Sequence, residues 1–244
     1  MGKPRETLVF IPAWNEEKNL PAVLDELRTE VPEADVLVID DGSTDRTPEV
    51  AREHGANVLA FGENRGLRAA IAAGYGYAAE HGYAYCGRVD ADGQHPVAEL
   101  RNLLELVRSG KCDVAVGSRF ATPGGNGFSR ERYESSPARR LGTGLLRRSI
   151  EIVLDRPFHD ATSGMYAVNA RAMPILALPY ASGAPEVEAV LRLHEEGFRV
   201  EEVPVEMRER ASGESKLQGK KALVLVVTVA GTLITAELLR RRRQ

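Results

Sequence analysis

The chain has 244 residues and a mass of 26.6 kDa, enough for one large domain or two small ones. Hydrophobic residues at 43%, charged residues at 27% and a net charge of −3 exclude a disordered polymer and a generally basic nucleic-acid coat. The total conceals an asymmetry: residues 1–100 carry 9 basic and 18 acidic side chains, residues 101–244 carry 23 and 17. An acidic first half suits a cation or base-edge site, and a basic second half suits phosphate or an anionic membrane surface. Cys86 and Cys112 each lie beside apolar, strand-like sequence and read as reduced core thiols. The N-terminus lacks the apolar core of a signal peptide, and Glu6 stands where a myristoylation site needs Ser or Thr. A cytoplasmic location, at the inner membrane face, is therefore expected.

In chain order, strands are predicted at Thr7–Ile11, Asp35–Ile39, Asn57–Phe61, Tyr83–Val89 and Asp113–Gly117. Helical patterns fall between them near Glu16–Glu30, Asp45–His54, Arg65–His81 and Pro96–Ser109, with Asp45 as a cap and Pro96 as a first-turn proline. Alternating β and α at this spacing predicts an α/β fold, a mainly parallel sheet with helices on both faces. Ligands of such sheets bind beyond the carboxyl ends of the strands. The clusters Asn15-Glu16, Asp40-Asp41-Gly42-Ser43 and Asp90-Ala91-Asp92 each follow a strand there and converge on one edge. Ala121–Pro137 reads as a loop of the kind that serves as a lid or acceptor flap. A helical pattern over Ala138–Leu154 follows, then Asp160–Ala167, a helix near Glu186–Glu196 and a strand pair around Phe198–Val205.

The last segment is apolar over Ala222–Ala236, flanked by Lys220 and Lys221 and by Arg240–Arg243. As a helix it spans about 22 Å at ~1.5 Å per residue, short of a ~30 Å bilayer core. Thr228, Gly231, Thr232 and Thr235 form a small-residue stripe. Three readings stay open: a membrane-docking helix with basic anchors, a helix packed on this domain or a second copy, and a transmembrane span that Glu237 interrupts. The division follows: residues 1–217 as the main domain, with a donor half to about 117 and an acceptor half from 118, and 218–244 as the C-terminal helix.

Asp90 and Asp92 lie at i, i+2 in a turn and can face one ion, and hard oxygen ligands suit Mg²⁺ or Mn²⁺. Such an ion neutralises a departing diphosphate. Asp-x-Asp alone also arises as an ordinary strand-end turn, but Gln94-His95-Pro96 at a helix start sharpens the signal. Other residues carry plain alternatives. Glu16 and Glu17 suit a helix's first turn, Asp41 and Ser43 suit a turn, and Arg139, Arg140, Arg147 and Arg148 suit a solvated helix face. Glu188 suits pairing with an arginine. His54, His81, His159 and His194 have no metal-ligand spacing, and His95 takes a positional role.

Pro12-Ala13-Trp14-Asn15-Glu16-Glu17, Val38-Ile39-Asp40-Asp41-Gly42-Ser43-Thr44-Asp45 and Asp90 to Pro96 occur in that order, with Asn64-Arg65-Gly66 and Gly117-Ser118-Arg119. Over about residues 7–217 the chain resembles the inverting family 2 glycosyltransferases of GT-A fold. Gly213-Glu214-Ser215-Lys216-Leu217 with Arg210 upstream, and Glu188 sixteen residues before Pro204, resemble the dolichyl- or polyprenyl-phosphate mannosyltransferases. Arg139 and Thr143 resemble the pair that grips the lipid phosphate there. Met165-Tyr166 departs from the usual Phe-Arg, and Trp14 from the usual Tyr. A C-terminus without long membrane spans resembles the single-domain members.

The resemblance implies that Pro12, Trp14, Glu16 and Asp41 cradle the nucleotide base and that Asp90 touches the nucleotide. It further implies that Asp92 and Gln94, with Asp90, hold Mg²⁺ or Mn²⁺. Arg210 and Lys216 then face the diphosphate, Glu188 joins the catalytic group, and Arg119, Arg139 and Thr143 take the acceptor phosphate. GDP-mannose is the favoured donor and UDP-glucose the second. A phosphate acceptor is already anionic and needs no strong base, which suits the seven Arg against two Glu of residues 119–148. A hydroxyl acceptor instead needs a carboxylate base, and Asp160 and Glu188 are the candidates. The alternatives are thus a family 2 transferase using a polysaccharide, glycopeptide or metabolite hydroxyl, and a non-catalytic nucleotide-sugar-binding subunit that docks a small membrane protein through residues 222–243. A nucleotidyltransferase lacks its Gly-rich loop here, and no nucleic-acid partner is expected.

Overall fold

The computed structural model describes residues 6–121, 151, 154, 157–160, 162–206 and 208. Its elements are β1 (Thr7–Ala13), α1 (Leu20–Glu30), β2 (Asp35–Asp40), α2 (Thr47–Glu53), β3 (Asn57–Ala60), α3 (Leu67–Glu80), β4 (Tyr85–Arg88), α4 (Val97–Arg108) and β5 (Val114–Ser118). Then come β6 (Tyr166–Asn169), the short α5 (Met173–Leu176), α6 (Pro185–Glu195) and β7 (Val200–Pro204). The seven strands form one sheet in the order β3-β2-β1-β4-β6-β5-β7. Only β6 runs antiparallel, to both β4 and β5.

β1 reads TLVFIPA and every residue of it is buried. Such a continuous apolar run is required of a strand covered on both faces. Its alternate residues feed two cores. Leu8 and Phe10 pack with Ile71, Tyr75, Met173 and Val190 from α3, α5 and α6. Val9 and Ile11 pack with Leu24, Leu27, Leu100 and Leu104 from α1 and α4. α3 approaches closely because it carries Gly74, where an added Cβ would lie 2.3 Å from Cδ2 of Phe10.

β2 and β3 occupy one side of β1, and β4 then pairs with its other side. Loops leaving β1 and β4 diverge there and leave a crevice at the strands' carboxyl ends. The expected strand pair near residues 198–205 is instead the single strand β7, parallel to β5. α1 starts at Leu20 rather than Glu16, and the Glu16 carbonyl accepts the N–H groups of Asn19 and Leu20 in the turn that leads into it. Pro96 precedes α4 as its cap residue instead of sitting in the first turn. Among the described residues no helix is long and apolar enough to cross a membrane. The expected C-terminal helix lies outside the described residues.

Gly74→Ala should destabilise the fold by about 1–3 kcal/mol, since the added methyl must displace the Phe10 ring. Urea unfolding measures this, and a variant as stable as the parent would contradict the packing described.

Candidate active site

The loops after β1 and β2 are clasped into one unit. Asn15 adopts φ of 55°, donates its N–H to Ser43 Oγ at 2.9 Å and accepts the N–H of Thr44 on Oδ1 at 2.8 Å. Glu17 reciprocates with the next residues: its N–H donates to Asp45 and its carboxylate accepts the N–H of Arg46 at 3.0 Å. Glu16 donates its N–H to Thr47 Oγ1 at 2.8 Å, and its carboxylate accepts from the Asn19 amide at 2.7 Å. Pro12 lies at the end of β1 and Trp14 just beyond it, 38% exposed. The Asp41 carboxylate accepts the N–H groups of Arg65 at 2.6 Å and Gly66 at 2.9 Å, and so ties the third predicted motif, Asn64-Arg65-Gly66, to the second. These groups share one rim of the crevice.

The opposite rim is the turn after β4. Asp92 is buried and accepts the Gln94 N–H on Oδ1 at 3.1 Å. The Asp90 N–H donates to His95 Nδ1 at 3.1 Å, which leaves the ring proton on Nε2. Burial pushes the His95 pKa down, Asp90 and Asp92 push it up, and the net shift is downward, so the ring stays neutral. Burial raises the Asp90 carboxyl while Arg88 lowers it, with help from His95 and Arg119, and the net shift is downward. Gly164 lies against that carboxylate: a Cβ there would be 2.4 Å from Asp90 Oδ2. On α1, Glu26 accepts the Val97 N–H at 3.0 Å and both Nη atoms of Arg208, while Gln94 O accepts the Arg208 N–H at 3.0 Å. This clamp delivers the chain after β7 to the turn, two residues short of Arg210.

The residues expected to hold an ion, two carboxylates and the Gln94 amide, offer oxygen ligands of the hard type that Mg²⁺ and Mn²⁺ take. Among the described residues no three acidic, His or Cys side chains group as a complete metal cage. A partial set fits an ion whose remaining ligands are diphosphate oxygens and water.

Beyond β5, Arg119 is held, not loose. Asp160 accepts its Nε and Nη2 at 2.7 Å each and its backbone N–H at 3.1 Å. Glu202 in turn accepts the N–H groups of His159 and Asp160, each at 2.7 Å. Burial raises the Asp160 carboxyl, but Arg119 outweighs it, and the net pKa lies below the ordinary value. Glu188 does not face the crevice groups just described; its carboxylate binds the N–H groups of Ala181 and Ser182 and pairs with Arg192. The α6 carboxylate that reaches the β4 side is Glu186, 2.9 Å from Arg88. Arg139, Thr143, Arg210 and Lys216 lie outside the described residues.

Four residues around the site escaped the sequence reading: Arg88, Glu186, Glu202 and Gly164. Arg88 carried a signal, a charge inside an otherwise apolar strand pattern. The other three are revealed only by the pairing of β4 with β6 and of β5 with β7.

Residues 8–171 match the Glycosyl transferase family 2 signature. The chain belongs to that family and is a glycosyltransferase. It is 32% identical to the polyprenol monophosphomannose synthase of Mycolicibacterium smegmatis, over 98% of this chain and 91% of that one. It is 36% identical to the undecaprenyl-phosphate mannosyltransferase of Micrococcus luteus, over 87% of each. The solved glucosyl-3-phosphoglycerate synthase of Mycobacterium tuberculosis, in complex with Mn²⁺, uridine diphosphate and phosphoglyceric acid, shares the GT-A fold. The TM-score is 0.68 at 20% identity, covering 94% of this chain and 79% of that one.

Two outcomes follow from this geometry. Gly164→Ala should lower sugar transfer at least tenfold, an estimate of roughly one charge-assisted contact displaced at Asp90; unchanged turnover in a folded variant would contradict it. Asp160, ionised more readily folded than unfolded, adds stability above pH ~3.9 that is lost as pH falls through its lower folded value. Asp160→Asn should therefore flatten the acid limb of a stability–pH curve, and an unchanged limb would refute the pairing.

Proposed function

We propose that this glycosyltransferase is metal-dependent and inverting, and that it moves a hexose from a nucleotide sugar to a polyprenyl phosphate. The observation that carries the reading is the Asp90–Gln94 turn facing the Trp14–Glu17 loop across the β1/β4 crevice. The names of the two curated relatives support the polyprenyl-phosphate acceptor and favour mannose. Ligands of the solved relative support a nucleotide diphosphate with a divalent ion.

In this reading Trp14 offers a flat face for the base, and Pro12 and Glu16 border it. Asp41 acts on the base side by holding the Arg65–Gly66 turn. Asp92, Asp90 and Gln94 would hold the ion, which when bound neutralises charge gathering on the departing diphosphate. Arg210 and Lys216 bring cations to the same diphosphate. Arg119, set by Asp160, orients the acceptor phosphate with Arg139 and Thr143, for attack opposite the leaving group. GDP-mannose is the donor we favour and UDP-glucose the second. The acceptor implies work at a membrane surface, and residues 218–244 are our candidate for docking there.

A phosphate acceptor is supported over a hydroxyl one by the state of two carboxylates. Asp160 is spent on Arg119, and Glu188 on Arg192 and two backbone donors. Neither is left to take a proton from an alcohol.

Asp92→Ala should abolish transfer while the fold survives, as judged by circular dichroism; near-parental turnover would remove the metal assignment. With purified protein, radiolabelled GDP-mannose should label polyprenyl phosphate and leave water-soluble alcohols unlabelled. The opposite pattern would favour the hydroxyl reading.

A further inference from the structure

Arg88 is the most deeply buried cation near the site, 2% exposed on β4. Its Nη2 lies 2.9 Å from Glu186 Oε1 and 3.4 Å from Asp90 Oδ1. Its Nε is buried with no hydrogen-bond partner among the described residues. Stability alone does not account for this arrangement. A buried cation between two acids seldom outperforms apolar packing of the same volume, and an unsatisfied donor adds a cost. What the guanidinium does accomplish is a connection. Asp90 begins the donor turn, and Glu186 stands in the first turn of α6. Strand pairing strengthens the point: Arg88 is directly opposite Tyr166, whose hydroxyl donates to the carbonyl of Glu186 at 3.5 Å. Directly opposed residues of an antiparallel pair project to the same face.

We propose that Arg88 is a positioning residue for sugar transfer, whose Nη2 bridges Asp90 and Glu186 and sets the Asp90 carboxylate for the nucleotide. The inference rests on the donor-site reading given above. It deepens that reading by adding a residue that does not itself touch the nucleotide.

The test is calorimetric titration of the full chain with GDP and with UDP in the presence of Mn²⁺, beside thermal unfolding. Arg88→Met should lower both the melting temperature and nucleotide affinity, because Glu186 is left unpaired. In Arg88→Met/Glu186→Met the melting temperature should return toward the parental value while affinity stays at least about tenfold weaker. A purely structural Arg88 predicts that both return together. Arg88→Lys, whose ammonium sits on a shorter stem than Nη2 and does not bridge both acids, should fold and bind about tenfold more weakly. Parental affinity in either the double variant or the lysine variant would overturn the proposal. Parental protein that binds neither nucleotide would instead overturn the donor-site reading itself.

Discussion

Parallel pairing of β4 with the open side of β1 creates the crevice, and every functional group described depends on it. The chain lays β2 and β3 on one flank of β1 before β4 returns to the other. Loops leaving neighbouring strands in opposite directions open a cleft at their carboxyl ends. One rim is the Asn15–Glu17 loop locked to Ser43–Thr47, and the other is the carboxylate turn. Neither rim could face the other if β4 followed β3 at the sheet edge.

Within this cleft the same carboxylates serve architecture and chemistry. Asp41, Asp45 and Asp92 each accept a backbone N–H of a loop they also shape. Such bonds hold these loops without needing a ligand. The basic side is organised likewise: Arg119 on Asp160, Arg208 on Glu26, Arg88 between Asp90 and Glu186. Cations fixed by acids lose less freedom when they meet a phosphate. Of these pairs, Arg208 on Glu26 joins a second-half cation to a first-half acid.

The legible part of the sequence was its periodicity and its strand-end clusters. Alternating apolar runs predicted β1 to β5 and α1 to α4 within a few residues, because both faces of the sheet are covered. The Asp-x-Asp turn was readable through its extension, Gln94-His95-Pro96 at a helix start, since two acids after a strand alone also make an ordinary turn. Less legible was anything that depends on β6. Its antiparallel insertion between β4 and β5 brings Gly164 to Asp90 and Glu186 to Arg88 across 74 and 98 residues of chain. Glu188 illustrates the limit. Its resemblance to the family's pattern before Pro204 marked it, yet two helical positions separate Glu186, which meets Arg88, from Glu188, which anchors the Ala181–Ser182 loop. Helix phase decides such a choice, and linear spacing does not encode the phase.

The proposed transfer depends on a divalent ion shared between Asp92 and a nucleotide diphosphate, with the protein supplying part of the coordination shell. Titration of Mn²⁺ followed by electron paramagnetic resonance, with and without GDP or UDP, tests it most directly. Mn²⁺ should bind weakly alone and at least about tenfold more tightly with nucleotide, because the diphosphate completes the shell. Asp92→Asn should remove that gain. Mn²⁺ affinity that ignores the nucleotide, or a gain that survives Asp92→Asn, would contradict the account.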